Sequence, residues 1–372
     1  MSDKTGIEWT DATWNPITGC SKVSQGCKHC YAERDWARLS ANPGTKYFGR
    51  DFTEVATHAD ALPLPCRWTK PRRIFVNSMS DLFHESVPFE FIAAVFGVMA
   101  GASWHSFQVL TKRPQRMLDF FAWLDAHPER AEFDSASLHE KYPGDDWRPF
   151  LCADLASRVL PDDGEGLRVA IAGKWPLPNV WLGVSVEDQA AADERVPLLL
   201  KAPAAVRFLS VEPMLSAVDL KLRRPVRDDD RQDMDGWCSH ITTAAGAGIH
   251  WVICGGESGP HARPMHPQWA RDLRDQCAAR GVPFLFKQWG EWTPDDWGER
   301  PGLRDTAGVM PSGDSLLMSQ GYVPPFDDGE RLKAAGNVRL DGRTLVNRVG
   351  KKAAGRLLDG VEHNGYPEVR HG

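Results

Sequence analysis

Short apolar runs alternate along this chain with longer stretches in which apolar residues return every three or four positions. The runs are Thr13–Thr18, Arg73–Asn77, Ser106–Leu110, Asn179–Val184, Val206–Val211, His250–Cys254 and Val282–Phe286. Several are rich in β-branched and aromatic residues and bounded by Gly, Pro or Ser, which predicts strands. After the second run, Phe91, Ile92, Val95, Phe96 and Met99 share one helical face, with Pro88 before them and Gly101 after. After the third, Pro114 opens a stretch with Met117, Leu118, Phe121 and Leu124 on one face, and between the sixth and seventh Trp269, Leu273 and Cys277 recur. Strands alternating with helices predict a parallel sheet. Seven such strands, with no Gly-rich dinucleotide fingerprint after the first, predict an α/β fold built as a partial or complete parallel β/α (TIM-type) barrel.

Two segments break the rhythm and read as insertions, residues 126–176 and 222–248. The second carries the acidic run Asp228–Asp230, read as a solvated loop. Residues 1–292 then form the barrel, and 293–372 a C-terminal extension packing on it, irregular from Thr293 to Arg339 with a last helix over Thr344–Leu358. At 372 residues the chain suits one large α/β domain with insertions. Its net charge of −6 announces no global affinity for nucleic acid and leaves a local basic groove open. No apolar stretch reaches the ~20 residues that cross a bilayer, and the N-terminus lacks the apolar run of a signal peptide. The expectation is a soluble, cytoplasmic protein with no membrane partner. Eight cysteines are too sparse for a disulfide scaffold, so where they cluster they point to metal or catalysis.

They cluster in ITGCSKVSQGCKHCYAERDWARL, where Cys20, Cys27 and Cys30 are spaced C-x6-C-x2-C between the first strand and a helix starting near Tyr31. Gly19 and Gly26 permit tight turns there. Thiolate suits both iron–sulfur clusters and zinc. A structural zinc usually takes four protein ligands; the loop offers three thiols and His29, with Cys66 a remote fourth. A cubane held by three cysteines leaves one iron open for a ligand. The remaining cysteines (Cys66, Cys152, Cys238, Cys254 and Cys277) read as small buried hydrophobes, Cys254 being the one whose strand end is placed to face a cluster.

The run GCxxxxxGCxxCYA, preceded by WNP, resembles the phage-associated three-Cys-motif family of radical-SAM-like proteins. Ser78–Asp81, Thr111–Pro114, SVEP at Ser210–Pro213, CGGESG at Cys254–Gly259, KQWGEW at Lys287–Trp292 and the C-terminal RVGKKAAGRLLDG resemble it too. The likeness spans most of the chain outside the insertions. It implies a [4Fe–4S] cluster on Cys20, Cys27 and Cys30, with S-adenosylmethionine chelated by the open iron and cleaved to methionine and a 5′-deoxyadenosyl radical. It also implies a partner protein named for the same motif, an electron donor of unstated identity, and, from the phage association, a nucleic acid or nucleotide as substrate. The superfamily's usual spacing is C-x3-C-x2-C, three residues shorter in the first gap. In that scheme His29 and Tyr31 lie near the adenine.

In a β/α barrel the side chains at the C-terminal strand ends converge on the site. That rule gathers Asn77, Asp81, Lys112, Arg113, Glu187, Glu212, Glu257, Lys287 and Gln288. Lys112, Glu212 and Lys287 are the catalytic candidates. Asp81, Gly255, Gly256 and Glu257 are candidates for holding the cofactor, since two glycines let a ligand approach and Glu257 accepts from an ammonium. Gly255-Gly256-Glu257 resembles the superfamily's amino-group motif, although it follows the sixth strand and not the second. Lys112-Arg113-Pro114 suits a carboxylate or phosphate, whereas Lys351, Lys352 and Arg356 read as a solvated helix face. Trp104, Trp289 and Trp292 are candidates for stacking on bases or for core packing. Two other readings remain open at this stage: a zinc-stabilised barrel that binds nucleic acid or a partner, and a nuclease or lyase using Glu212 and Glu257 on a divalent metal.

Overall fold

The computed structural model describes residues 5–135, 140, 143–160, 173–221, 248–294, 305–309, 315–318, 339–340 and 343–368. The acidic run Asp228–Asp230, Cys238 and nearly all of the 222–248 insertion lie outside them. Seven parallel strands form one sheet whose spatial order follows the chain: β1 Ala12–Trp14, β2 Arg73–Val76, β3 Ser106–Thr111, β4 Val180–Ser185, β5 Val206–Val211, β6 Trp251–Gly255 and β7 Phe284–Gln288. The sheet is open and strongly curled, a half-barrel flanked by helices. Every residue of β4 and β5 is buried, as expected of parallel strands covered on both faces.

Among the described residues six helices of ten or more residues accompany the strands: α1 Tyr31–Ser40, α2 Phe89–Gly101, α3 Pro114–Asp125, α4 Arg148–Val159, α5 Gln189–Lys201 and α6 Pro267–Ala278. The apolar face expected of α2 is there, but residues Phe91 to Gly101 are buried all round. The cause is α4, which lies in the segment expected to be a polar insertion and packs along α2 with Leu151, Cys152 and Leu155 buried. Their approach is so close that a Cβ on Gly97 would sit 2.2 Å from the Cys152 carbonyl oxygen.

Inside the curl, Trp9, Phe75, Trp181, Phe208, Trp251, Ile253 and Leu285 form an apolar plug. Gly183 is glycine because the Phe208 ring fills its side-chain space; a Cβ would lie 2.5 Å from it. The plug fills the lower half of the half-barrel and leaves the C-terminal strand ends free to line a cavity. Along β7 runs the C-terminal segment, where Phe286 N–H donates to His363 O at 3.0 Å and Gly365 N–H to Phe284 O at 2.9 Å. Tyr366 continues to the N-terminal segment and donates to Glu8 O at 3.3 Å.

A second, antiparallel sheet follows the barrel: β8 Trp292–Pro294, β9 Asp305–Val309, β10 Ser315–Met318, β11 Arg339–Leu340 and β12 Arg343–Arg348, with β12 between β8 and β9. The helix expected over Thr344–Leu358 is therefore replaced at both ends by strand, Arg343–Arg348 and Leu357–Leu358. Only Lys351–Ala354 is helical, because Gly350 and Gly355, both at positive φ, bound it. No helix among the described residues is long and apolar enough to cross a membrane.

Candidate functional site

A cavity of about 390 Å³ opens at the C-terminal strand ends. Its wall contains Cys20, Cys27, Cys30, His29 and Tyr31 from the segment after β1, Asp81, Lys112, Glu212, Gly256 and Glu257 from the loops after β2, β3, β5 and β6, and Lys287 from β7 itself. Of the strand-end residues singled out in the sequence, Gly255 and Glu187 stand off the wall. A Cβ on Gly255 would meet the Glu212 carboxylate at 3.2 Å, and one on Gly256 would lie 2.0 Å from the Trp289 carbonyl oxygen. Close approach of the protein's own groups therefore accounts for both glycines.

The cysteine loop is held at each end. Gly19, at φ +88°, passes so near the Glu54 carbonyl that only glycine fits, and Cys20 N–H donates to Phe52 O at 2.9 Å. At the other end Cys30 caps α1, receiving Arg34 N–H at 3.0 Å on its carbonyl. Burial raises the Cys30 thiol pKa, while the Glu33 and Ala32 amides at the helix start, hydrogen-bonded to it, pull it back. Burial pushes the Cys20 thiol up to about 12; Asp81 adds to the rise and Arg113, its Nη1 3.8 Å from the sulfur, opposes it. Cys27 adds charge repulsion to both neighbours, so the three thiols are electrostatically coupled. All three are free thiols. Among the described residues no three His, Cys, Asp or Glu side chains converge closely enough to hold a metal ion.

Three carboxylates fix this loop against the barrel. Asp81 accepts from Thr111 Oγ1 at 2.8 Å, Lys112 N–H at 3.0 Å and Arg113 Nη1 at 3.3 Å. Arg113 in turn donates to the Ser21 hydroxyl at 2.8 Å and its carbonyl at 3.1 Å, beside Cys20. Glu187 accepts from Ser24 Oγ at 2.7 Å in the middle of the loop, from Arg195 at 2.8 Å, and from Lys112. Burial works to raise the Glu187 pKa, but Lys112 and Arg195 outweigh it and hold the group below the usual carboxylate range. Glu257 accepts from His29 Nδ1 at 3.2 Å and from Arg263 Nε at 2.8 Å, and Arg263 reaches the Gln25 carbonyl at 3.0 Å. Burial is again overcome there, now by Arg263, and Glu257 is held low.

On the far wall Lys287 Nζ donates to both oxygens of Glu212, at 2.8 and 2.9 Å, and Gln288 Nε2 donates to one at 3.2 Å. Cys254 faces away from the cavity, its sulfur 3.8 Å from Met214 Sδ in the outer core. Cys66 does not line the cavity; it packs against that core. Trp289 and Trp292 are buried, with indole N–H groups donating to Leu357 O and Ala262 O, and Trp104 donates to Trp68 O. Their role is packing. Lys351, read as a solvated helix residue, lies on the cavity wall. Sequence reasoning missed Ser24, Arg195 and Arg263. No motif marks them, and only the folded loop brings them to a carboxylate.

Residues 4–367 match the family described as protein of unknown function DUF5131, and the chain belongs to that family. No curated protein and no solved structure matches it.

Proposed function

We propose that this DUF5131 member is an iron–sulfur enzyme of the radical SAM type, working in a reducing, cytoplasmic setting. One observation carries the reading: three thiols from a single C-x6-C-x2-C loop stand on the same cavity wall as the charged strand-end residues. Cys20, Cys27 and Cys30 are the cluster's ligands. Burial raises the thiol pKa of Cys20 and Cys30, and a strongly cationic group that replaces their protons removes that cost.

When bound, a three-cysteine [4Fe–4S] cluster supplies an open iron that chelates S-adenosylmethionine and an electron that cleaves its sulfonium. The chain's own residues then bind and orient. Glu257, held ionised by Arg263 and hydrogen-bonded to His29 of the loop, would accept from the ammonium of the methionine moiety. Lys112 and Lys287 present cations to a carboxylate or to substrate, each restrained by a carboxylate partner. The aromatic plug beneath the cavity excludes water from below. The direct test is 5′-deoxyadenosine formation from S-adenosylmethionine by reduced, cluster-loaded protein. Production above a Cys27→Ala control supports the reading, and none in protein with full iron and sulfide overturns it.

A further inference from the structure

The cavity mouth carries a charge the rest of the chain does not. Residues 20–50 hold six lysines and arginines against two acidic residues, in a protein whose net charge is −6. Lys22, Lys28, Arg34 and Arg38 of this segment are exposed, and Lys351 and Lys352 are exposed beside the cavity. Arg34 and Lys351 line the cavity itself. Two large rings of the same segment are exposed, Tyr31 on the cavity wall at 43% and Phe48 at 52%. Exposed cations interleaved with exposed aromatics are the surface that single-stranded nucleic acid requires, since every nucleotide offers a phosphate and a π-face.

The cavity interior adds an independent observation. Its floor is made by Ile7, Trp9, Phe75 and Leu110. Trp9 Nε1, Asn77 Nδ2 and Gln288 Oε1 have no hydrogen-bond partner among the described residues, although these residues are only 2%, 3% and 4% exposed. All three residues line the cavity. Two unsatisfied donors and an acceptor beside an apolar, aromatic floor suit a flat heteroaromatic ring with polar edges.

We infer that the mouth binds a single-stranded nucleic acid and that one of its bases enters the cavity. The adenosine of S-adenosylmethionine shares the base chemistry, but that molecule carries no phosphate for the cationic rim to neutralise. Reaching a base from this mouth requires that the base be unstacked, which a single strand allows at least cost. The inference rests on the proposed radical chemistry only for what is then done to the nucleotide; binding needs no cluster.

The experiment is fluorescence anisotropy of labelled DNA and RNA single strands of about 15 nucleotides, with the full chain, across a salt series. Binding that weakens steeply with salt is expected, with the Arg34→Glu/Lys351→Glu double variant at least about tenfold weaker. Trp9→Phe, which keeps the ring and loses the donor, is expected to weaken binding several-fold with an unchanged salt slope. Lys201→Glu, at the exposed end of α5, is expected to bind like the parent. The inference is overturned if neither strand binds at low salt, if a duplex binds more tightly, if Lys201→Glu weakens binding as much as the rim variant, or if Trp9→Phe has no effect. Equilibrium dialysis of S-adenosylmethionine against cluster-loaded protein separates the two claims. Its failure with oligonucleotide binding intact removes the proposed chemistry and leaves this inference standing.

Discussion

The Cα of Gly26 faces the carboxylate of Glu187 so closely that a Cβ there would lie 2.3 Å from the Glu187 side chain. The glycine sits one residue before Cys27, and Glu187 lies just beyond the end of the fourth barrel strand. The contact therefore seats the middle of the cysteine loop directly on the barrel. Gly26→Ala is expected to drive the two apart, costing about 1–3 kcal/mol as overpacking does. Iron uptake on reconstitution should fall further than the melting temperature. Full iron uptake by the variant would show that the contact does not place the thiols.

Ser24 and Glu187 separate loop placement from barrel stability. Ser24→Ala removes one hydrogen bond to Glu187 and is expected to cost about 1 kcal/mol. Glu187→Gln leaves Arg195 buried without its carboxylate and is expected to cost about 3–5 kcal/mol. Chemical denaturation of the two variants measures both, and equal losses would mean that Arg195 finds another partner.

All seven strands were legible as apolar runs because parallel strands buried on both faces must be apolar throughout; six lie within about two residues of their observed bounds, while the first, expected over Thr13–Thr18, already ends at Trp14. The strand-end rule likewise brought Asp81, Lys112, Glu212, Glu257 and Lys287 to one cavity. Helix α4 escaped because its segment is broken by Pro and Gly and flanked by charge, so that its buried face is short. The helix expected over Thr344–Leu358 failed for a different reason: Arg343–Arg348 is claimed by its strand partners on both sides, a tertiary demand that helix-like spacing does not reveal. The clamps on the cysteine loop are also tertiary, Arg263 reaching Gln25 across most of the chain.

The contact of α2 with α4 gives a stability test away from the site. Gly97→Ala would place a methyl group 2.2 Å from the Cys152 carbonyl oxygen. A loss of about 1–3 kcal/mol is expected, with cluster content per folded chain unchanged. An unaltered melting temperature would mean that the helices separate freely.

Acid sensitivity is expected to come through His58. Burial, with Lys46 and Arg50 adding, pushes its pKa down from 6.5 to about 4, Asp60 opposing. Its Nε2 lies 2.7 Å from Thr18 Oγ1, which already accepts from Arg50 at 2.9 Å, so the hydroxyl proton is left to point at an unprotonated ring nitrogen. The unfolded chain takes up the proton first as pH falls. Stability from this group is therefore full above about pH 6.5 and lost progressively down to about 4, on the order of 1–2 kcal/mol for a ring partly screened by solvent. Denaturation midpoints at pH 7 and pH 5 should differ in the parent and differ less in His58→Gln. Equal pH dependence in both would place the acid sensitivity elsewhere.

The proposed chemistry requires that Cys20, Cys27 and Cys30 hold a cluster with one open iron. Anaerobic purification followed by iron, sulfide and zinc analysis, with electron paramagnetic resonance of the reduced protein before and after adding S-adenosylmethionine, tests it most directly. The expected result is about four irons and four sulfides per chain, a signal that changes on adding S-adenosylmethionine, and loss of both in Cys27→Ala but not in Cys66→Ala. One zinc per chain with no iron, or a cluster whose signal ignores S-adenosylmethionine, would contradict it.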